Sequence, residues 1–134
     1  MLKQIGNLLE SKGSVYLIFI FYFIAGLNHF INPEFYIPLI PDYLTLKKEV
    51  NLISGLIEIA LAIGLLLNPT RKIASFLTIL MLLAFIPSHI YFIQIGSCIE
   101  GGLCVPEWIG WTRLIAIHPA LLLWAWKSGR VSSI

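Results

Sequence analysis

Four apolar runs separated by short polar stretches set the pattern of this chain. They extend from about Ser14 to Ile31, Val50 to Leu67, Ile73 to Ile95 and Trp108 to Trp126. Each is close to the ~20 residues that cross ~30 Å of hydrocarbon at about 1.5 Å per residue. Backbone amides in lipid must bond within their own segment, so each run predicts a helix. Four of them predict an all-α integral membrane four-helix bundle, one domain over residues 1–134.

The connections fit that expectation. Asn68-Pro69-Thr70 predicts a tight turn, with Thr70 placed to cap the third helix. Residues 33–49 carry Pro33, Pro38 and Pro41 among apolar side chains, which predicts an interfacial or re-entrant segment over the bundle mouth. Gly96 to Glu107 predicts a turn-rich loop. The first run lacks a small-residue cleavage site and is expected to be an uncleaved span.

Composition strengthens the membrane reading. Hydrophobic residues make up 58% and charged residues 12% of the chain, against about 25% charged in soluble domains. A net charge of +2, with no basic stripe interleaved with aromatics, argues against a nucleic-acid partner. The two ends and the second-to-third turn hold Lys3, Lys12, Arg71, Lys72, Lys127 and Arg130 against Glu10 alone. The opposite side holds Glu34, Asp42, Glu49, Glu100 and Glu107 against Lys47, Lys48 and Arg113. That asymmetry predicts cytoplasmic N- and C-termini in a multi-pass protein of the cell inner (cytoplasmic) membrane. Tryptophans 108, 111, 124 and 126 mark both ends of the last span as an aromatic belt would.

Polar side chains inside spans cost roughly 2.5–3.5 kcal/mol each when ionisable, so they call for a partner or a purpose. Here they are Asn28 and His29, Ser54 and Glu58, Ser88 and His89, and Arg113 and His118. Counting along the helices puts His29 about 8 Å beyond its span's midpoint, with His89 at a similar height. Arg113 falls in the outer half, Glu58 is central and Ser54 lies one turn further out. All four spans therefore contribute to one polar layer. Each residue also has a structural reading: Glu58 paired with Arg113 or a histidine, the histidines bonded to carbonyls, and Arg113 snorkelling to the headgroups. His118 precedes Pro119, which points to a local role, and Pro87 frees a carbonyl in the same way. Gly26, Gly55 and Gly64 read as close-packing positions. Cys98 and Cys104, on the oxidising side, suggest a disulfide across their loop, with a redox-active pair as the alternative.

Several blocks resemble those of DoxX-like membrane proteins: GLNHFINPEFYIPLIPDYL, SGLIEIALAIGLLLNPTRKIAS, FIPSHIYF and WTRLIAIHPALLLWAW. The likeness covers about Phe21 to Trp126. It is most specific at Gly26, His29, Phe30 and Pro33, at Ser54, Gly55, Glu58, Gly64, Arg71 and Ala74, and at Trp111 and Arg113. The chain departs from the family at Ser88 and His89, where relatives often read P-A-N-I, and at Ile117 and His118, near a frequent glutamine. The resemblance implies the four-helix fold and a redox association, since the family takes its name from a small subunit of a thiosulfate:quinone oxidoreductase.

The combined expectation is a ligand site of Asn28, His29, Ser54, Glu58, His89 and Arg113 that takes a quinone or another lipophilic small molecule. The alternative is a non-catalytic subunit or carrier that stabilises a larger complex or binds a lipid-like ligand. Haem ligation by His29 and His89 ranks third, and a metal site of Glu58 with the histidines has no supporting motif. Expected partners are the lipid bilayer and either a redox partner protein or a second copy of the chain. No nucleophile–base pair, phosphate loop or zinc motif is present, which argues against a hydrolase or kinase.

Overall fold

The computed structural model describes residues 1–132, and every regular element among them is helical. In order these are α1 (Leu2–Leu9), α2 (Lys12–Ile31), α3 (Pro33–Tyr36), a 3₁₀ turn (Ile37–Leu39), α4 (Lys47–Leu66), α5 (Arg71–Gln94), α6 (Glu107–Thr112), a π turn (Arg113–Ile117) and α7 (His118–Ser128). The three helices α2, α4 and α5 are each long and apolar enough to cross a membrane, which makes this a multi-pass membrane protein. Their outward side chains, among them Leu17, Ile24, Ile53, Leu56, Ile73 and Phe76, are exposed, as a lipid-facing surface requires.

The last apolar run is one helical stretch in three pieces rather than a uniform α-helix. Pro119 lacks an N–H, and its ring crowds the carbonyl one turn earlier. The helix widens just ahead of it, and the His118 N–H reaches the Arg113 carbonyl five residues back, the bonding of a π turn.

Local capping explains where the other elements begin and end. The Ser11 hydroxyl accepts a hydrogen bond from the Ser14 amide at 3.1 Å, which starts α2 and separates it from α1. Thr70 does not cap α5 as its position suggests. Its backbone is already helical (φ −103°, ψ −11°), so the side chain turns back and donates to the Gly64 carbonyl at 2.9 Å. It thereby closes the end of α4. Buried Arg71 completes that closure, donating to the carbonyls of Leu65 (2.8 Å) and Leu66 (3.0 Å), to Asn68 Oδ1 (2.7 Å) and to the Val131 carbonyl (2.9 Å). A guanidinium thus supplies the donors that water would give the orphan carbonyls of an exposed helix end.

The tightest packing joins α2 to α4. A Cβ built on Gly26 would stand 2.8 Å from the Gly55 carbonyl oxygen, and one on Gly55 would stand 2.9 Å from the Gly26 oxygen. The two backbones touch there, as small residues permit in membrane helices. Below that crossing Ile18, Tyr22, Leu61, Leu65, Met81 and Leu82 form the core. The α7 helix is tied in by Trp124, whose indole N–H donates to Ser14 Oγ at 2.7 Å, and by Ser75, whose hydroxyl donates to the Ala125 carbonyl at 2.7 Å. Helix α3 and the 3₁₀ turn fold across the opposite end and bury Leu39, Ile40 and Pro41.

Two predictions follow from this packing. Gly55→Ala is expected to destabilise the detergent-solubilised protein by about 1–3 kcal/mol, the usual cost of overpacking. Gly13→Ala, whose new Cβ would meet nothing closer than Ser11 Oγ at 3.9 Å, should leave the thermal midpoint nearly unchanged. Equal midpoints for both variants would refute the crossing. The second concerns Glu10, which accepts from Lys127 at 2.7 Å and lies 3.7 Å from Arg130. The Lys127 hydrogen bond holds this carboxyl below its ordinary 4.5. Its contribution is therefore present above about pH 4.5 and is lost as the pH falls through the lowered folded-state value. Wild-type thermal midpoints should drop more steeply with acidification there than those of Glu10→Gln.

Candidate functional site

The Gly26–Gly55 contact determines which side chains meet above it. His29 lies three residues after Gly26, Asn51 four before Gly55 and Glu58 three after, so all three face the α2–α4 seam. Asn51 clamps His29 twice. Its Nδ2 donates to the His29 carbonyl at 2.9 Å, and its Oδ1 faces His29 Nδ1 at 2.7 Å. With the amide turned that way, Oδ1 can only accept, so Nδ1 carries the hydrogen and neutral His29 presents a bare Nε2. That Nε2 faces Glu58 Oε2 at 3.6 Å, beyond hydrogen-bond reach. The Tyr36 ring stacks on the imidazole with centroids 3.8 Å apart.

These residues form one side of a cavity of about 480 Å³. Its roof is Phe35, Tyr36, Leu39, Ile40 and Pro41, so the proline-rich segment covers the bundle end. Val50, Ala84, Phe85 and Phe92 supply apolar walls, and Ser54, Ser88, His89 and Arg113 continue the polar side. The His89 ring meets that of His118 edge-on at 4.9 Å. Arg113 turns inward instead of snorkelling: its guanidinium sits 5.3 Å from the Phe92 ring centroid, a cation–π distance. Neither Glu58 Oε2 nor Arg113 Nη1, both buried, has a hydrogen-bond partner among the described residues.

Of the six expected site residues, His29, Ser54, Glu58, His89 and Arg113 line this cavity. Asn28 does not. Its Nδ2 donates to the Tyr36 hydroxyl at 3.0 Å, and its Oδ1 accepts from Asn32, because one residue of helical rotation from His29 turns it away from the seam. Asn28 therefore holds the roof and is not a lining residue. The pairing considered for Glu58 involves His29, with no Arg113 ion pair among the described residues. Sequence reasoning passed over Asn51 and Tyr36. Asn51 carried a signal, since Asn51, Ser54 and Glu58 stand at i, i+3 and i+7 on one helical face. Tyr36 carried none, because its place depends on how the roof folds back.

Two loop features brace the site. Cys98 and Cys104 form a disulfide that closes the loop after α5. There Gly96 (φ +80°) and Ser97 (φ +56°) end α5, with the Ser97 amide bonded to the Phe92 carbonyl and the Gly96 amide to Ile93, a Schellman closure. Ser97 packs against Gly110, one turn before Arg113, so the loop sets the height of the arginine. On the roof, Lys47 bonds Asp42 at 2.6 Å. This holds the Asp42 carboxyl below its ordinary range, with a smaller contribution from the Tyr91 hydroxyl.

Residues 18–129 match the family described as "Domain of unknown function (DUF8561)". The chain belongs to that family. The DUF8561 match takes in every cavity residue from His29 to Arg113, while α1 lies outside it. No curated protein and no solved structure matches the chain.

Chemically, the cavity offers an apolar enclosure, a cationic donor in Arg113, and two acceptors in His29 Nε2 and Glu58. A flat molecule with polar atoms at its edge fits that set. Haem does not: His29 Nε2 faces Glu58, and His89 packs against His118. Among the described residues no three His, Cys, Asp or Glu side chains gather as a metal ion requires. The clamp is testable by Asn51→Leu, which keeps the bulk but leaves the His29 N–H and carbonyl unpaired. A loss of about 1–3 kcal/mol per group is expected in thermal unfolding, and wild-type stability would mean that the clamp carries no weight.

Proposed function

We propose that this protein is a DoxX-like, four-span bundle with both termini cytoplasmic, and that its cavity binds a quinone-class molecule on behalf of a redox partner protein. The helical stretch from Glu107 to Ser128 supports the fourth span, since at about 1.5 Å per residue its length falls between those of α4 and α5. The Lys and Arg asymmetry supports the orientation and, with it, residence in the cytoplasmic membrane.

One observation carries the ligand reading. A buried carboxyl oxygen and a buried guanidinium nitrogen, both without partners among the described residues, line the same largely apolar cavity of about 480 Å³ as His29. That volume lies within the usual range of small-molecule sites, roughly 300–1,000 Å³. Arg113 would donate to a quinone carbonyl. His29 and Glu58 would accept from the hydroxyl of the reduced form, and the aromatic roof would cover the ring. Entry from the bilayer suits a lipophilic ligand. Reduction to the quinol would take two electrons from the partner protein and two protons from solvent, and the quinol would carry them away into the bilayer.

A second reading, a carrier of lipid-like ligands, draws on the apolar walls and makes different use of the same cavity. Titrating the purified protein with a short-chain ubiquinone and with its alkyl tail alone separates the two. On the quinone reading, the headgroup raises the thermal midpoint and the tail does not. Arg113→Gln and Glu58→Gln should weaken the shift by about tenfold in apparent affinity, as losing one charged hydrogen bond predicts. Equal response to the tail favours the carrier, and no response to any quinone ends the proposal.

A further inference from the structure

A second groove lies at the other end of the molecule, where α5 begins and α7 finishes, and it owes nothing to the cavity above. It encloses about 210 Å³ between Lys72, Ser75, Phe76 and Ile79 on one side and Trp126, Gly129 and Arg130 on the other. Its shape follows from Gly129. A Cβ there would stand 2.6 Å from Ser75 Cβ, so the tip of α7 approaches α5 closely and leaves the space above it clear. Ser75 closes the floor, its hydroxyl already given to the Ala125 carbonyl.

The charge around this groove is one-sided. Lys72 has no ion-pair partner among the described residues, and Arg130 has only Glu10, at 3.7 Å. Glu10 is itself bonded more closely to Lys127, at 2.7 Å. Among the described residues it is the one acidic side chain at this end, against Lys3, Lys12, Arg71, Lys72, Lys127 and Arg130. The Arg130 guanidinium lies 4.3 Å over the Trp126 ring, which fixes it at the groove's edge instead of leaving it free in solvent. Lys72 and Arg130 stand at the margin of the apolar spans, where headgroups begin. Below them Phe76 and Leu80, 60% and 45% exposed, continue an apolar wall down the bilayer face of α5.

We propose that this groove is a specific site for the headgroup of an anionic phospholipid, with the phosphodiester held between Lys72 and Arg130 and an acyl chain laid along Phe76 and Ile79. The lipid anion supplies the negative charge that Glu10 alone does not, and the Trp126 indole packs at the glycerol level. Basic pockets between helices at a membrane surface recognise phospholipid headgroups in this way.

Native mass spectrometry of the delipidated full chain, given equal amounts of dioleoyl phosphatidylglycerol and dioleoyl phosphatidylcholine, tests the site. One phosphatidylglycerol should be retained at least tenfold over phosphatidylcholine, and millimolar inorganic phosphate should not displace it. Lys72→Gln/Arg130→Gln should abolish the preference. Lys3→Gln/Lys12→Gln, which removes two charges from the same end but outside the groove, should preserve it. Thermal midpoints of both double variants establish that they are folded, and if the groove variant is not, Lys72→Gln alone should still cut the preference severalfold. Equal retention of the two lipids, equal loss in both double variants, or displacement by free phosphate would each overturn the proposal.

Discussion

The contact between the Gly26 and Gly55 backbones governs the upper half of this molecule. Membrane helices gain little from burying apolar side chains against one another, because lipid is equally apolar. Close approach and polar contacts have to hold them together. With no Cβ at either position, α2 and α4 come near enough for Asn51 to reach both the ring and the carbonyl of His29. The same approach puts Glu58 Oε2 3.6 Å from His29 Nε2. A wider crossing would take Asn51 out of reach, leaving His29 free to turn and its carbonyl without that donor.

The remaining elements present other groups to that pair. The roof stacks Tyr36 on His29 and is anchored through Asn28. Pro87 sits beside Ser88 and His89 on α5, and Pro119 follows the π turn that begins at Arg113. Both prolines disturb helices at the level where polar side chains are needed, and π turns recur at functional sites. The disulfide loop joins the two sides, running from Phe92 through Ser97 to Gly110. The consequence is a polar wall whose groups are held on one side by Asn51 and Tyr36 and on the other by Phe92 and His118.

The two ends of the bundle are chemically different. At the roof end a buried acid, a half-buried cation and histidines face a largely apolar cavity. At the other end charges face outward, and buried Arg71 spends its donors on the carbonyls that finish α4 and on the chain end. The two arginines differ accordingly: Arg113 keeps a buried nitrogen without a partner among the described residues, whereas every Arg71 nitrogen is bonded to an oxygen.

Much of this was legible in the chain. Hydrophobic runs near twenty residues demand helices in lipid, so α2, α4 and α5 could be placed to within a few residues. The cost of polar groups in a span marked His29, Glu58, His89 and Arg113 as residues needing an explanation. The period of an α-helix put Ser54 and Glu58 on one face, and the same period extends to Asn51, which was passed over. What the sequence could not decide were relations across elements. Asn28 and His29 are neighbours, yet helical rotation gives one to the roof and the other to the cavity. Thr70 precedes α5, yet its helical backbone sends the hydroxyl back to α4. Local spacing specifies the face a residue occupies within its own helix. Only the closeness of two backbones decides what that face meets.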